Sequence, residues 1–171
     1  MSSELTLSDR ISELLASQPM VRPVEMARQL GVSEWEIVSQ FGADEFVALP
    51  GLMAQSILES ISDWGKVTTI IEVKGFVFEF KDAFPKGKLG FGYYNLQGGG
   101  GGLEGHLKLD AVTDIALLSR PLRGKETHAI LFYAEDGACI FKIYLGRDDK
   151  GDIFTHQIAA FHALKEGQNV A

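Results

Sequence analysis

The chain has four histidines, His106, His128, His156 and His162, and a single cysteine, Cys139. Imidazole can ligate a metal or carry a proton near neutrality, so chemistry is looked for first at these positions. No two histidines stand at His-Glu-x-x-His spacing and no Cys/His cluster exists, which leaves a zinc site with little support. Gly-x-Ser-x-Gly is absent, and Cys139 has no activating partner in sequence, so nucleophilic catalysis is poorly supported too. Cys139 lies in a strand-like apolar run, where an inert buried thiol is expected. His106 stands out by its facing. In Leu103-Glu-Gly-His-Leu-Lys-Leu109 the apolar set is Leu103, Leu107 and Leu109, which turns Glu104, His106 and Lys108 to the wetter side. An imidazole reaching solvent from a stiff strand is well placed to ligate a metal, although an ordinary surface histidine is the commoner outcome. His162 borders an apolar helix face and reads as packed, and His156 reads as solvated. His128 opens a strand and suits either role.

The elements that hold these residues follow from periodicity. Ile11, Leu14 and Leu15 stripe a first helix behind a Thr6/Asp9 capping box, and Pro19 and Pro23 stop it. Pro23 can open the next helix, Val24 to Leu30, which Gly31 ends. Ser33 and Glu36 cap a third helix carrying Ile37, Val38 and Phe41. Ile57, Leu58, Ile61 and Trp64 stripe a fourth, closed by Gly65. From Val67 the period becomes two. Strands are expected at Val67 to Val73, Phe76 to Phe80, Phe91 to Leu96, Leu103 to Leu109, Val112 to Ser119, His128 to Ala134 and Ala138 to Leu145. Lys74-Gly75 and Glu135-Asp136-Gly137 supply tight turns, and connections this short join antiparallel neighbours. Asp148 or Asp149 is expected to cap a final helix with Phe154, Ile158 and Phe161 on one face. Helices, then strands, then a helix make an α+β protein. It is expected to be a single domain over 1–171, with a helical part at 1–63 and the antiparallel sheet plus C-terminal helix at 64–171.

Composition narrows the function. With 46% hydrophobic residues in 171, the chain can bury a core without staples. Sixteen basic against 23 acidic residues give a net charge of −7, which argues against nucleic acid, though not against a local basic patch. Residues 23–38 imitate a helix-turn-helix, yet the second helix would offer Glu34 and Glu36 to phosphates that repel them. A DNA-binding regulator is therefore the disfavoured alternative, and a helical packing unit the expected one. The N-terminus lacks a basic n-region and no apolar run approaches the roughly 20 residues of a membrane span, so a cytoplasmic protein without membrane insertion is expected. Gly98 to Gly102 is not a phosphate loop, because no Gly-Lys-Ser/Thr opens a helix there. Five glycines in a row read as a mobile hairpin loop ahead of a ligand lid.

Several blocks then occur in an order that is specific. Trp64-Gly-Lys-Val-Thr-Thr69, Gly92-Tyr-Tyr-Asn-Leu96, Gly105-His-Leu107, Lys142-Ile-Tyr-Leu-Gly-Arg-Asp148 and Ala160-Phe-His-Ala-Leu164 resemble the cytosolic haem-utilisation carriers of the HutX/ChuX type. The resemblance runs from Trp64 to Leu164, while the N-terminal helices match in character more than in motif. It implies a large curved antiparallel sheet packed with helices, a homodimer, and transient binding of haem as cargo. It also implies delivery to a haem-degrading or haem-storing partner. In this family the Gly-His-Leu position is an iron ligand, which assigns His106 to the metal. The family's second ligand histidine is replaced here by Glu72, and a carboxylate is not among the usual haem axial ligands. The iron is then expected on one histidine, with water, Tyr93 or Tyr94 opposite; a solvated strand residue is the expected state of Glu72. Phe91, Tyr93 and Tyr94 can supply ring contacts, and Lys108 a cation for a propionate. A haem-degrading enzyme related to the two-repeat haem-uptake proteins is the remaining alternative.

Overall fold

The structure is a computed structural model that describes residues 4–167. Local signals set the N-terminal helices. The helix α1 (Leu7–Ser17) starts in a complete capping box in which Thr6 and Asp9 satisfy each other's backbone amides. The helix α2 (Pro23–Leu30) has proline in its first turn and ends on Gly31 in the left-handed conformation (φ 69°). The short helix α3 (Glu34–Val38) begins at the Ser33/Glu36 capping box. These helices close over a small core of Ile11, Met26, Ala27 and Ile37. The helix-turn-helix look is thus a packing unit, and Glu34, at its supposed recognition end, is buried.

Beyond them comes a strand that the periodicity did not announce. The strand β1 (Phe46–Pro50) lies within the stretch expected to be helical, and a 3-10 turn at Gly51–Met53 leads from it into α4 (Ala54–Ile61). The hairpin of β2 (Lys66–Val73) and β3 (Phe76–Ala83) turns on Lys74 and Gly75, both at positive φ. Then follow β4 (Gly87–Gly90), β5 (Tyr93–Leu96), β6 (Gly105–Leu107), β7 (Asp114–Ser119), β8 (His128–Tyr133) and β9 (Cys139–Tyr144). The last helix, α5 (Thr155–Gly167), is not capped by Asp148 or Asp149. Asp148 instead folds back on its own turn, where its carboxylate accepts from the amides of Lys150 and Asp152.

The strands form two antiparallel sheets rather than one. Six run in the order β1-β7-β8-β9-β2-β3, and β4-β5-β6 make a separate sheet of three. β4 was not expected, and the strand expected over Leu103 to Leu109 shrinks to Gly105–Leu107 because a 3-10 turn at Leu109–Ala111 takes its end. Both sheets share the main core. Phe132 and Phe141 stack there at 4.4 Å, and Tyr94 and Leu96 of the small sheet pack into the same cluster with α4 and Phe161 of α5. Gln157, wholly buried, ties α5 down: it accepts from the Gly146 amide at 2.7 Å and donates to the carbonyls of Trp64 and Lys66. Both ends of this side-chain amide are hydrogen-bonded, which is what makes its burial tolerable.

Candidate functional site

The small sheet presents His106. Its first hairpin turns on Phe91 and Gly92, both at positive φ (55° and 82°), and this brings Gly90 opposite Tyr93. Across the sheet, Lys88 pairs with Asn95 and Asn95 with His106, so the three side chains stand in one row. Tyr93, two residues from Asn95, shares that side. The alternation read at Leu103 to Leu109 holds: His106, Glu104 and Lys108 are exposed while Leu103, Leu107 and Leu109 are partly buried. The imidazole is held on two sides. Its Nδ1 lies 2.6 Å from Asn95 Oδ1, and the Tyr93 ring meets it edge-on at 6.1 Å between centroids. Phe91 at the turn is fully exposed, and Leu89, which pairs with Tyr94 and so lies on the other face of the sheet from His106, is 59% exposed.

Tyr94 does not join this face. It points inward at 1% exposure, its hydroxyl has no hydrogen-bond partner, and burial pushes its pKa up. Its ring lies on Gly87 so closely that a Cβ there would stand 2.3 Å from ring carbon, so β4 can only approach as glycine. A tyrosine in this position is core, not a ligand.

Glu72 is not a solvated strand residue either. Its carboxylate takes two hydrogen bonds from Arg22, at 2.8 and 3.1 Å, and lies 3.6 Å from Lys142 Nζ. The Arg22 bonds hold its pKa below the usual carboxylate range. Arg22 sits just before α2, so this ion triad fastens the helical layer to the β2 and β9 strands. Glu72 belongs to the six-stranded sheet and His106 to the small one, and both Glu72 oxygens are engaged.

The glycine run is closed at its two ends and open at Gly99 to Gly101. A Cβ on Gly98 would come 1.9 Å from the Leu103 carbonyl oxygen, and one on Gly102 would come 2.2 Å from that of Gly98. The backbone closes on itself at the two ends of the run, and a larger residue at Gly98 or Gly102 would force it open.

The other histidines have structural partners. His128 is buried, with Nδ1 2.8 Å from the Ser119 hydroxyl and Nε2 2.7 Å from Glu126. His156 bonds the Trp64 carbonyl through Nε2 at 2.7 Å, so it is not simply solvated. His162, expected to be packed, is exposed. Burial raises the pKa of the Cys139 thiol far out of the reactive range.

The local basic patch that the net charge left open is present on the six-stranded sheet. An open groove of about 1020 Å³ runs over the face of β2, β3 and β9 that carries Thr68, Ile70, Lys142 and Tyr144. Seven cations line it (Arg22, Lys66, Lys81, Arg123, Lys125, Lys142 and Arg147) against Glu25, Glu79 and Asp148. The patch is basic on a chain of net charge −7, and no periodicity could gather it from segments so far apart. Its one imidazole, His128, has both ring nitrogens engaged.

Known proteins share this architecture. The family described as haem utilisation ChuX/HutX matches residues 47–164. The intracellular heme transport protein HutX of Vibrio cholerae serotype O1 is 44% identical over 161 residues, 94% of this chain and 83% of that protein. A crystal structure of a protein from Erwinia carotovora superposes with a TM-score of 0.86 at 31% identity, covering 95% of this chain and 98% of the other. The heme binding protein ChuX superposes with a TM-score of 0.82 at 30% identity, covering 96% and 99%.

Proposed function

The chain belongs to the haem utilisation ChuX/HutX family, and from that membership we propose that it is a haem carrier, with His106 as the iron ligand. One observation carries the assignment to His106: an exposed imidazole, steadied by Asn95 and by the exposed ring of Tyr93, stands on the outer face of the small sheet. A porphyrin needs a Lewis base for its iron, apolar contact for its faces and cations for its propionates. Lys88, in the same row, and exposed Lys108 are the proposed propionate partners. Tyr93 serves as a ring contact, and the sixth iron position is left to water or to a group from a second molecule. Glu72 has no part in ligation, because its oxygens are taken by Arg22. An open site of this kind suits a protein that hands its cargo to a haem-degrading or haem-storing recipient. The name of the Vibrio relative supports an intracellular, cytoplasmic setting, and among the described residues no helix is long and apolar enough to cross a membrane.

Hemin titration tests the assignment. It should give a shifted Soret band near one equivalent per subunit, and His106→Ala should weaken binding strongly. The groove supports a second reading, with propionates among its cations and Tyr144 as the base. If His106→Ala binds hemin unchanged while Tyr144→Phe loses the band, the groove holds the iron instead.

A homodimer is proposed through the β2–β3 hairpin. Val67 and Thr69 face the core, and the same side of the hairpin runs on into Ile71, Val73, Phe76 and Phe78, all exposed. A core face that continues past its own core, on an eight-residue edge strand, calls for a second copy to cover it. Light scattering after size exclusion should show a dimer, and Phe76→Lys with Phe78→Lys a folded monomer. A wild-type monomer at tens of micromolar would refute this.

A further inference from the structure

Asn95 stands directly across from His106 in the β5–β6 pairing, and its amide is oriented from the other end. Nδ2 donates to the carbonyl oxygens of Lys88 and Gly90, each at 3.0 Å, and lies 3.3 Å from that of Tyr93. Carbonyl oxygens only accept, so the NH2 end must face these three and Oδ1 must face the imidazole. Oδ1 also only accepts, and it lies 2.6 Å from His106 Nδ1. The hydrogen of the neutral ring must therefore sit on Nδ1. Nε2, on the far edge of the ring, is left with its lone pair bare.

We propose that Asn95 is a positioning residue that locks His106 in the Nδ1–H tautomer and so presents a ready Nε2 lone pair to the iron of haem. The proposal rests on the carrier reading of His106. Its physical content is a choice between two nitrogens. A free imidazole side chain in water prefers to carry its hydrogen on Nε2, the atom that must be bare to bond iron. Without Asn95 most neutral rings would have to shift that proton before ligation. A hydrogen bond from Nδ1–H to an oxygen also makes Nε2 the better donor and fixes the plane of the ring. The lock is built into the hairpin, because the three carbonyls that orient the amide belong to Lys88, Gly90 and Tyr93 around the Phe91-Gly92 turn.

The test begins without haem. Long-range proton–nitrogen correlation spectra of histidine-labelled apo-protein at pH 8 report which nitrogen of His106 is protonated. Wild type should show Nδ1–H, and Asn95→Ala should show mainly Nε2–H. Asn95→Asp keeps an acceptor for Nδ1–H but loses the amide donors to the hairpin carbonyls. It should therefore retain the Nδ1–H form, whereas a purely structural role would be damaged by Asp at least as much as by Ala. With hemin bound, Asn95→Ala should raise Kd about tenfold. The ferrous iron–imidazole stretch should fall in Asn95→Ala and rise in Asn95→Asp. Nε2–H in the wild-type apo-protein overturns the proposal and needs no variant to fold. Nδ1–H retained in Asn95→Ala overturns it equally. Unchanged hemin binding in His106→Ala overturns His106 as the iron ligand, and with it any haem role for Asn95, independently of the tautomer found in the apo-protein.

Discussion

Replacing Glu72 by glutamine separates its structural role from any role at iron. The substitution keeps the volume and removes one charge from a triad in which Glu72 and Lys142 are each 13% exposed and Arg22 is 37% exposed. Removing one partner of a fully buried pair costs about 3–5 kcal/mol and of a surface pair about 0–1 kcal/mol. Arg22 can turn to solvent or to Glu25, 3.6 Å away, whereas Lys142 cannot escape so easily. The intermediate burial places the expected loss near 2 kcal/mol, or roughly 4–8 °C in Tm for a chain of this size. The pH dependence has a definite sign. Arg22 lowers the folded-state pKa of Glu72, so its contribution is fully present above the ordinary value of 4.5 and is lost as pH falls through the lower folded value. Urea denaturation of wild type and Glu72→Gln should therefore give a constant gap from pH 6 to 8 that closes in acid. Hemin spectra of the two proteins should coincide. A gap below about 0.5 kcal/mol at pH 7 in low salt would refute the triad's structural role, and a displaced Soret band would bring Glu72 back to the iron.

Glu34 should behave in the opposite way. Burial raises its pKa and Oε2 finds no hydrogen-bond partner, so the fold favours the neutral acid and loses stability as pH rises from the ordinary carboxylate value through the raised one. Glu34→Gln should be the more stable protein at pH 8 by about 1–2 kcal/mol, with the gain vanishing toward pH 4; equal stability at both pH values would exclude a charged buried Glu34. Gly87→Ala should push β4 off the Tyr94 ring and cost about 2–3 kcal/mol by denaturation. A Gly87→Ala variant as stable as wild type would mean that the ring is not seated there.

What was readable in the sequence was local. Both capping boxes, the Pro23 start, the Gly31 stop and the Lys74-Gly75 turn depend on residues within four positions of each other, and all are as read. The outward facing of His106 was readable because Leu103, Leu107 and Leu109 set the phase. β1 was not readable: Phe46–Pro50 is short, ends in proline and becomes a strand only by pairing with β7, far along the chain. β4 hides because two of its four residues are glycine, and Gly87 is explained only by the ring that lies on it. Tyr93 and Tyr94 looked equivalent, yet parity with buried Leu96 was a usable signal that Tyr94 turns in and Tyr93 out. The partners of Glu72 and His106 were beyond reach, since Arg22 lies 50 residues from Glu72 and the register of β5 on β6 is set by tertiary packing.

The division of labour between the two sheets bears on how such a protein can change over time. The inner surface of the three-stranded sheet is anchored by Tyr94 and Leu96, whereas its outer row of Lys88, Asn95 and His106 contributes no side chain to the main core. Drift can rewrite Lys88 and His106 in that row with little change in melting behaviour, whereas Asn95 is also tied to the hairpin carbonyls. Thermal robustness in a homologue is therefore no witness to its cargo; the identity of the residue opposite the imidazole is the better one.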